Sequence, residues 1–159
     1  MSVRVGMGYD VHRVKAGRPL ILGGVHFESD WGLEGHSDAD VVLHAIADAL
    51  LGSVGLGDLG EHFPPGDPKW KDASSLNLLT RVGRMLTDKG ARVTNIDVMV
   101  IAEAPKLAPH RSTMCANIAA ALGIEADRVS VKATTNETLG AIGRREGLAA
   151  MAVVLVDKA

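Results

Sequence analysis

Val3-Arg4-Val5-Gly6-Met7-Gly8-Tyr9-Asp10-Val11-His12 sets apolar Val3, Val5 and Met7 in alternation with Arg4, Gly6 and Gly8, the period-two pattern of a β-strand. In such a strand Asp10 and His12, two apart, project from one face. A strand end of this kind presents a carboxylate oxygen and an imidazole nitrogen together. Zinc takes both at about 2.0–2.2 Å, and a catalytic zinc site uses three protein groups and leaves a fourth position open. A third ligand has to come from elsewhere in the chain.

Ser37-Asp38-Ala39-Asp40-Val41-Val42-Leu43-His44-Ala45-Ile46-Ala47-Asp48-Ala49-Leu50-Leu51-Gly52 reads as a helix that offers one. Ser37 stands at a capping position with Asp40 three residues on, and Gly52 marks the end. Val41, Val42, Ala45, Ile46, Ala49 and Leu50 make a buried stripe, while Asp40, His44 and Asp48 form a neighbouring row at steps of four. His44 is then the candidate third zinc ligand, and Asp48 a candidate partner for its other ring nitrogen. The plainer reading stays open here: an ordinary strand end and a hydrogen-bonded helix histidine.

The bulk composition narrows the function classes. A chain of 159 residues that is 47% hydrophobic is sized for one well-packed domain, residues 1–159. A net charge of −2 and an aromatic content of 3% supply neither the basic surface nor the stacking platforms of a nucleic-acid partner. The single Cys115 excludes an internal disulfide, reads as a structural thiol in a helix, and suits a reducing cytoplasm. No apolar run nears the roughly 20 residues of a membrane span, and no signal-peptide pattern opens the chain. A cytoplasmic protein without a membrane partner is expected.

Strand patterns near Val3–Tyr9, Leu20–Phe27, Val93–Ala102, Val129–Ala133 and Leu148–Val156 alternate with helical ones near Asp38–Leu51, Ser75–Lys89 and Pro109–Leu122. Gly52, Gly90 and Gly123 punctuate the helix ends, and Leu76, Leu79, Val82 and Leu86 recur at a helical period. The long glycine- and proline-rich connection from Ser53 to Ser74 has the length of a binding segment or of a tolerated insertion. The 102–109 segment, with small residues around Lys106, can admit a phosphate ligand to the backbone. Lys132-Ala133-Thr134-Thr135-Asn136-Glu137-Thr138-Leu139-Gly140 collects hydroxyls, amides and a carboxylate suited to a phosphate and its magnesium ion. Its alternative is a threonine turn in which Glu137 completes a capping box with Thr134.

Taken in order, Gly8-Tyr9-Asp10-Val11-His12, Leu22-Gly23-Gly24-Val25, Gly35-His36-Ser37-Asp38-Ala39-Asp40-Val41 with His44, Gly55-Leu56-Gly57-Asp58-Leu59-Gly60, Ala104-Pro105-Lys106 and Val131-Lys132-Ala133-Thr134-Thr135 with Glu137, Leu139 and Gly140 resemble the 2-C-methyl-D-erythritol 2,4-cyclodiphosphate synthase family over nearly the whole chain. The resemblance implies an α+β fold: a mixed four-stranded sheet with helices on one face and a small β-hairpin, assembled as a homotrimer with active sites between subunits. It implies zinc on Asp10, His12 and His44, a second divalent ion, magnesium or manganese, on Glu137, and transition-state stabilisation by His36 and Thr135.

Substrate contacts are implied around the zinc for Asp10, Val11, His12, His36 and Ser37, and in the long loop for Asp58, Leu59, Gly60, Phe63 and Asp67. They are also implied for Ala102, Glu103, Ala104, Pro105, Lys106, Leu107 and Ala108, and for Thr134, Thr135, Asn136, Glu137, Ala141 and Arg144. The activity implied is cyclisation of a cytidine diphosphate-linked methylerythritol phosphate with release of CMP. A zinc-dependent phosphate hydrolase and a trimeric nucleotide- or isoprenoid-phosphate binding module are the competing readings. Three positions depart from the family pattern. Pro65 replaces a carboxylate in Phe63-Pro64-Pro65-Gly66-Asp67-Pro68, Ala141 stands where an aromatic residue is frequent, and Arg145 where a small one is.

Overall fold

The alternation at the start of the chain becomes β1, Ser2–Ala16, in a computed structural model that describes residues 1–159. Its even-numbered side face meets helix α1, Val41–Ser53, at very short range. A Cβ built on Gly6 would lie 1.8 Å from the Ala49 carbonyl oxygen, and one on Gly8 would lie 1.9 Å from that of Ala45. The two glycines, not apolar side chains, let the helix lie directly on the strand. Asp10 and His12 continue the same face, which brings them under His44 of α1.

Leu20–Phe27 is not one strand but a hairpin, β2 (Leu20–Leu22) and β3 (Val25–Phe27), because Gly23 and Gly24 take φ of 58° and 72° and close a two-residue turn. β4, Trp31–Leu33, pairs antiparallel with the end of β1. The chain continues through α1, the single-turn α2 (Leu59–His62), α3 (Ser75–Asp88) and β5 (Ala91–Ile101). It ends with α4 (Arg111–Leu122), β6 (Val129–Thr134), the short α5 (Gly140–Gly143) and β7 (Gly147–Lys158).

The sheet runs β4-β1-β7-β5-β6; β5 and β6 are parallel and the other pairs antiparallel. It is mixed, as expected, but has five strands rather than four. The extra strand is three-residue β4, too short to show a period, and it stays on the edge. The hairpin forms a separate two-stranded sheet.

Leu43, Ile46 and Leu50 of α1, Leu79 and Leu86 of α3, Met114 and Ile118 of α4, and Ile96, Val98, Val154 and Val156 of the sheet form one buried core. At about 1.5–3 kcal/mol for each large side chain taken out of water, this layer is what anchors α1 to the sheet. Leu78 joins the α3 stripe, whereas Leu76 is half-buried, its methyl groups against Gly24. The opposite face of the sheet is bare: Val3, Val5, Met7, Tyr9, Val11, Met151 and Val153 are each between 43% and 67% exposed.

The N-cap of α1 is Asp40 rather than Ser37. Ala39 takes φ 58° and turns the chain so that Asp40 Oδ1 accepts the Leu43 N–H at 3.2 Å. The same buried carboxylate accepts the Gly23 and Gly24 N–H groups at 2.9 and 2.8 Å, tying the hairpin turn to the helix start. Burial drives the Asp40 carboxyl up to about 6; the Gly24, Gly23 and Leu43 amides oppose this and the nearby Asp38 charge adds to it.

Candidate metal centre

Three donor atoms converge where β1 passes under α1. His12 Nε2 lies 2.8 Å from Asp10 Oδ2, His44 Nδ1 lies 3.1 Å from the same oxygen, and the two imidazole nitrogens are 3.2 Å apart. Ligands at about 2.0–2.1 Å around a tetrahedral ion stand about 3.3 Å from one another, so this triangle has nearly the size of one face of a zinc coordination shell. No other group of three or more histidine, cysteine or acidic side chains in the structure has this convergence.

The surrounding hydrogen bonds fix which nitrogens are free. His12 Nδ1 is 2.7 Å from the Glu34 carbonyl oxygen, which only accepts, so Nδ1 carries the proton and Nε2 offers a lone pair. The Ser75 hydroxyl donates to Asp38 and therefore accepts from His44 Nε2 at 2.9 Å, leaving His44 Nδ1 with its lone pair toward Asp10. The Ser37 hydroxyl is 3.1 Å from that same Nε2. Both free lone pairs and a carboxylate oxygen thus face one point, an arrangement that is repulsive unless a cation occupies it. Asp48 is not the partner of His44, because its Oδ1 accepts the Leu59 N–H at 2.7 Å; burial raises its carboxyl.

Protons compete for the same point. Burial works to raise Asp10, but the hydrogen bonds that His12 and His44 make to it when a proton sits between them, with their charges, outweigh it and bring the carboxyl down to about 2. Burial works to lower His12, and the hydrogen bond and charge of Asp10 more than offset it, leaving the imidazole above its ordinary value. The triangle therefore attracts positive charge in any form.

A cleft of about 300 Å³ opens on these donors. Asp10, His12, His36, Ser37 and His44 line it together with Leu59, Gly60 and Phe63, so these sequence-predicted residues do share one site. Asp48, Pro65, Trp70 and Leu78 also line it; Asp48 and Pro65 stand out in the sequence for other reasons, Trp70 lies in the long connection, and Leu78 alone carries no signal there. Trp70 packs edge-on against Phe63 at 4.9 Å, under Lys69 and Arg81, and proline at position 65 puts an apolar ring in the wall. Asp58 and Asp67 instead cap short helical turns through the Glu61 and Lys69 amides. The Asp67 carbonyl accepts from His36 Nε2 at 2.9 Å and holds that ring toward the cleft.

The second predicted cluster lies apart from the triangle. Asp10 is opposite Ala150, Ala150 opposite Val100, and Val100 opposite Ala133, which is three strand spacings or about 14 Å. Thr134, Thr135, Asn136 and Glu137 are exposed beyond that last strand. The capping box is corrected: Glu137 has φ 51° and belongs to no helix, and its amide donates to the Thr135 hydroxyl at 3.1 Å, not to Thr134. In the neighbouring 102–108 segment Ala102 and Leu107 are buried, Lys106 and Ala108 are exposed, and Ala104 and Pro105 are half-buried, while Val11 of β1 stands on the exposed sheet face. Glu103 binds backbone amides of the 136–138 turn. Ala141 is exposed, and Arg144 pairs with Glu146 at 2.7 Å on the surface.

Comparison with known proteins gives the same fold over nearly the whole chain. The chain is 59% identical over 152 residues to the 2-C-methyl-D-erythritol 2,4-cyclodiphosphate synthase of Symbiobacterium thermophilum, covering 96% of this chain and 97% of that protein. It is 58% identical over 154 residues to the synthase of the same name from Desulfosudis oleivorans, covering 97% and 92%. The solved structure of IspF from Plasmodium falciparum in complex with CDP superposes with a TM-score of 0.88 at 32% identity, covering 99% of this chain and 97% of that one. The YgbB family model matches residues 3–157, and the chain belongs to that family.

Proposed function

We propose that this protein cyclises 4-diphosphocytidyl-2-C-methyl-D-erythritol 2-phosphate to 2-C-methyl-D-erythritol 2,4-cyclodiphosphate, releasing CMP, as a phosphorus–oxygen lyase of the non-mevalonate route to isoprenoid precursors. The observation that carries this reading is a full-length relationship at 59% identity to a curated synthase in a chain whose Asp10, His12 and His44 converge on one point. No helix of the chain is long and apolar enough to cross a membrane, and a cytoplasmic setting accords with its single free cysteine.

In the reaction an oxygen of the 2-phosphate forms a bond to the β-phosphorus, and the bond from that phosphorus to the bridging oxygen breaks, its electron pair leaving with CMP. The attacking phosphate is already ionised and needs no general base. What the protein has to do is bring two anions together in line and exclude water. Zinc held by Asp10, His12 and His44, with magnesium or manganese at Glu137, supplies Lewis acidity, a template and neutralisation of the phosphate charge.

The chain's own groups do the rest. His36, held through its Nε2 by the Asp67 carbonyl, offers Nδ1–H to phosphate when it is imidazolium. Thr135 offers a hydroxyl, and one well-aimed donor to a developing anion contributes about 3 kcal/mol. Exposed Lys106 gives the nucleotide phosphates a compact positive charge. Leu59, Phe63, Pro65 and Trp70 wall the cleft and limit water.

The protein acts in this reading as a homotrimer in which the 102–108 and 134–137 segments of one subunit complete the zinc cleft of the next. Two features support it: the bare apolar sheet face, and the roughly 14 Å between the two halves of the site within one chain. Incubation of the zinc-loaded protein with the cytidine-linked substrate and magnesium tests the activity by phosphorus NMR. Equal amounts of CMP and cyclic diphosphate are expected; open-chain phosphates alone would make it a hydrolase, and binding without turnover a ligand-holding module.

A further inference from the structure

The turn after β6 sits in a conformation that its sequence disfavours. Glu137 and Thr138 have φ of 51° and 63°, consecutive non-glycine residues in the left-handed region, where Cβ crowds the following carbonyl. Such a pair persists only if its surroundings hold it, and two neighbours do so. Glu103, half-buried just beyond the end of β5, accepts with Oε1 the amides of Asn136 at 2.9 Å and Thr138 at 3.3 Å, the two that flank Glu137. From the other side Gly143 presses so closely that a Cβ there would lie 2.1 Å from the Thr138 carbonyl carbon.

Held in this way, the turn presents a fixed pair. The Thr135 hydroxyl accepts the Glu137 amide at 3.1 Å and donates to Glu137 Oε1 at 3.3 Å, so the hydroxyl and the carboxylate face the same side before any ligand arrives. Preorganisation of this kind removes reorganisation from the reaction step.

We infer that Glu103 is a positioning residue, whose carboxylate oxygen clamps the amides of Asn136 and Thr138 and thereby aims the Thr135 hydroxyl and the Glu137 carboxylate. The inference rests on the roles given to Thr135 and Glu137 under Proposed function. What the clamp requires is an acceptor of the right reach, not a charge. A glutamine amide oxygen can take the same two N–H groups, whereas methionine fills the same space and accepts neither.

The test compares Glu103→Gln, Glu103→Met, Glu137→Ala and the Glu103→Met/Glu137→Ala double variant in the full-length, zinc-loaded enzyme. Its readouts are kcat, KM, the magnesium concentration for half-maximal rate, zinc content, and hydrogen exchange of the Asn136 and Thr138 amides without substrate. Glu103→Met should lower kcat by about 10–100-fold, the range for loss of a group that orients a metal ligand. It should also raise the magnesium requirement, speed exchange at both amides and leave zinc content intact, while Glu103→Gln recovers most of the rate and the protection. The double variant should be no slower than Glu137→Ala alone, because both changes act through one group.

A glutamine variant as slow as the methionine one, an additive double variant, or unchanged amide exchange would overturn the inference. If Glu137→Ala retains full kcat, the catalytic role of the turn falls instead. The exchange rates then decide separately whether Glu103 holds the turn.

Discussion

Asp40 is the residue on which the local order around the Asp10, His12 and His44 triangle converges, since one carboxylate accepts the Leu43 amide at the start of α1 and both glycine amides of the hairpin turn. Asp40→Ala leaves the buried Gly23 and Leu43 amides, and the half-buried Gly24 amide, without partners. It should destabilise the fold by about 2–4 kcal/mol, from a lost cap and unmade buried hydrogen bonds, as read by urea unfolding. Because burial raises this carboxyl to about 6, the folded state holds its proton more tightly than the unfolded chain does. The stabilisation by Asp40 is then full below about pH 4 and declines as pH rises through 6, so the gap between wild type and variant should narrow over that window.

His12 sets a second pH dependence. Its imidazole lies above the ordinary value and Asp10 well below, so the proton that competes with zinc is the histidine's. Without zinc, the His12 contribution to stability is present below the ordinary imidazole pKa and is lost as pH rises through the raised one. With zinc, loading strengthens over the same rise as the proton leaves. Thermal unfolding should show opposite pH slopes for zinc-free and zinc-loaded protein as pH rises above the ordinary imidazole pKa; parallel slopes would mean that zinc does not displace this proton.

At the scale of elements, the contact of β1 with α1 makes the site. Gly8→Ala puts a methyl group against the Ala45 carbonyl, with backbone on both sides and no flexible side chain to yield. The strand and helix must separate, which moves Asp10 and His12 away from His44. The expected result is a loss of about 3 kcal/mol or more together with weaker zinc binding in calorimetry, whereas Gly52→Ala, where a Cβ meets nothing within 4 Å, should change zinc binding little.

Much of this was legible in the sequence. The period-two run gave the strand and the shared face of Asp10 and His12, and the i, i+4 stripe gave the helix that carries His44. Gly6 and Gly8 were visible in the alternation, but the reason for them was not, because it lies in Ala45 and Ala49 of another element. Ser75 escaped notice as the partner of His44 for the same reason: the two are 31 residues apart, and only the packing of α3 against α1 brings them together. Asp48, on the right helical row, was the natural choice from spacing until the Leu59 amide claimed it. The cap assigned to Ser37 failed because a left-handed Ala39 intervenes, which periodicity does not register.

For the whole molecule, the exposed sheet face is the largest unpaired feature. Seven large apolar side chains from β1 and β7 stand open on it, more than an isolated domain ordinarily leaves in one place. A closed ring of copies would bury this face while setting the turn after β6 beside a neighbour's zinc cleft. Val5→Lys with Met7→Lys should therefore yield monomers in analytical ultracentrifugation that still bind zinc, since Asp10, His12 and His44 belong to one chain, but turn over substrate far more slowly. Trimers that persist with full activity would place the interface elsewhere.

The account stands on three side chains meeting around one cation, and anomalous diffraction at the zinc edge reads this directly. The predicted result is a single strong peak about 2.0–2.2 Å from Asp10 Oδ2, His12 Nε2 and His44 Nδ1. A zinc peak bound elsewhere in the chain, with the triangle empty, would contradict it.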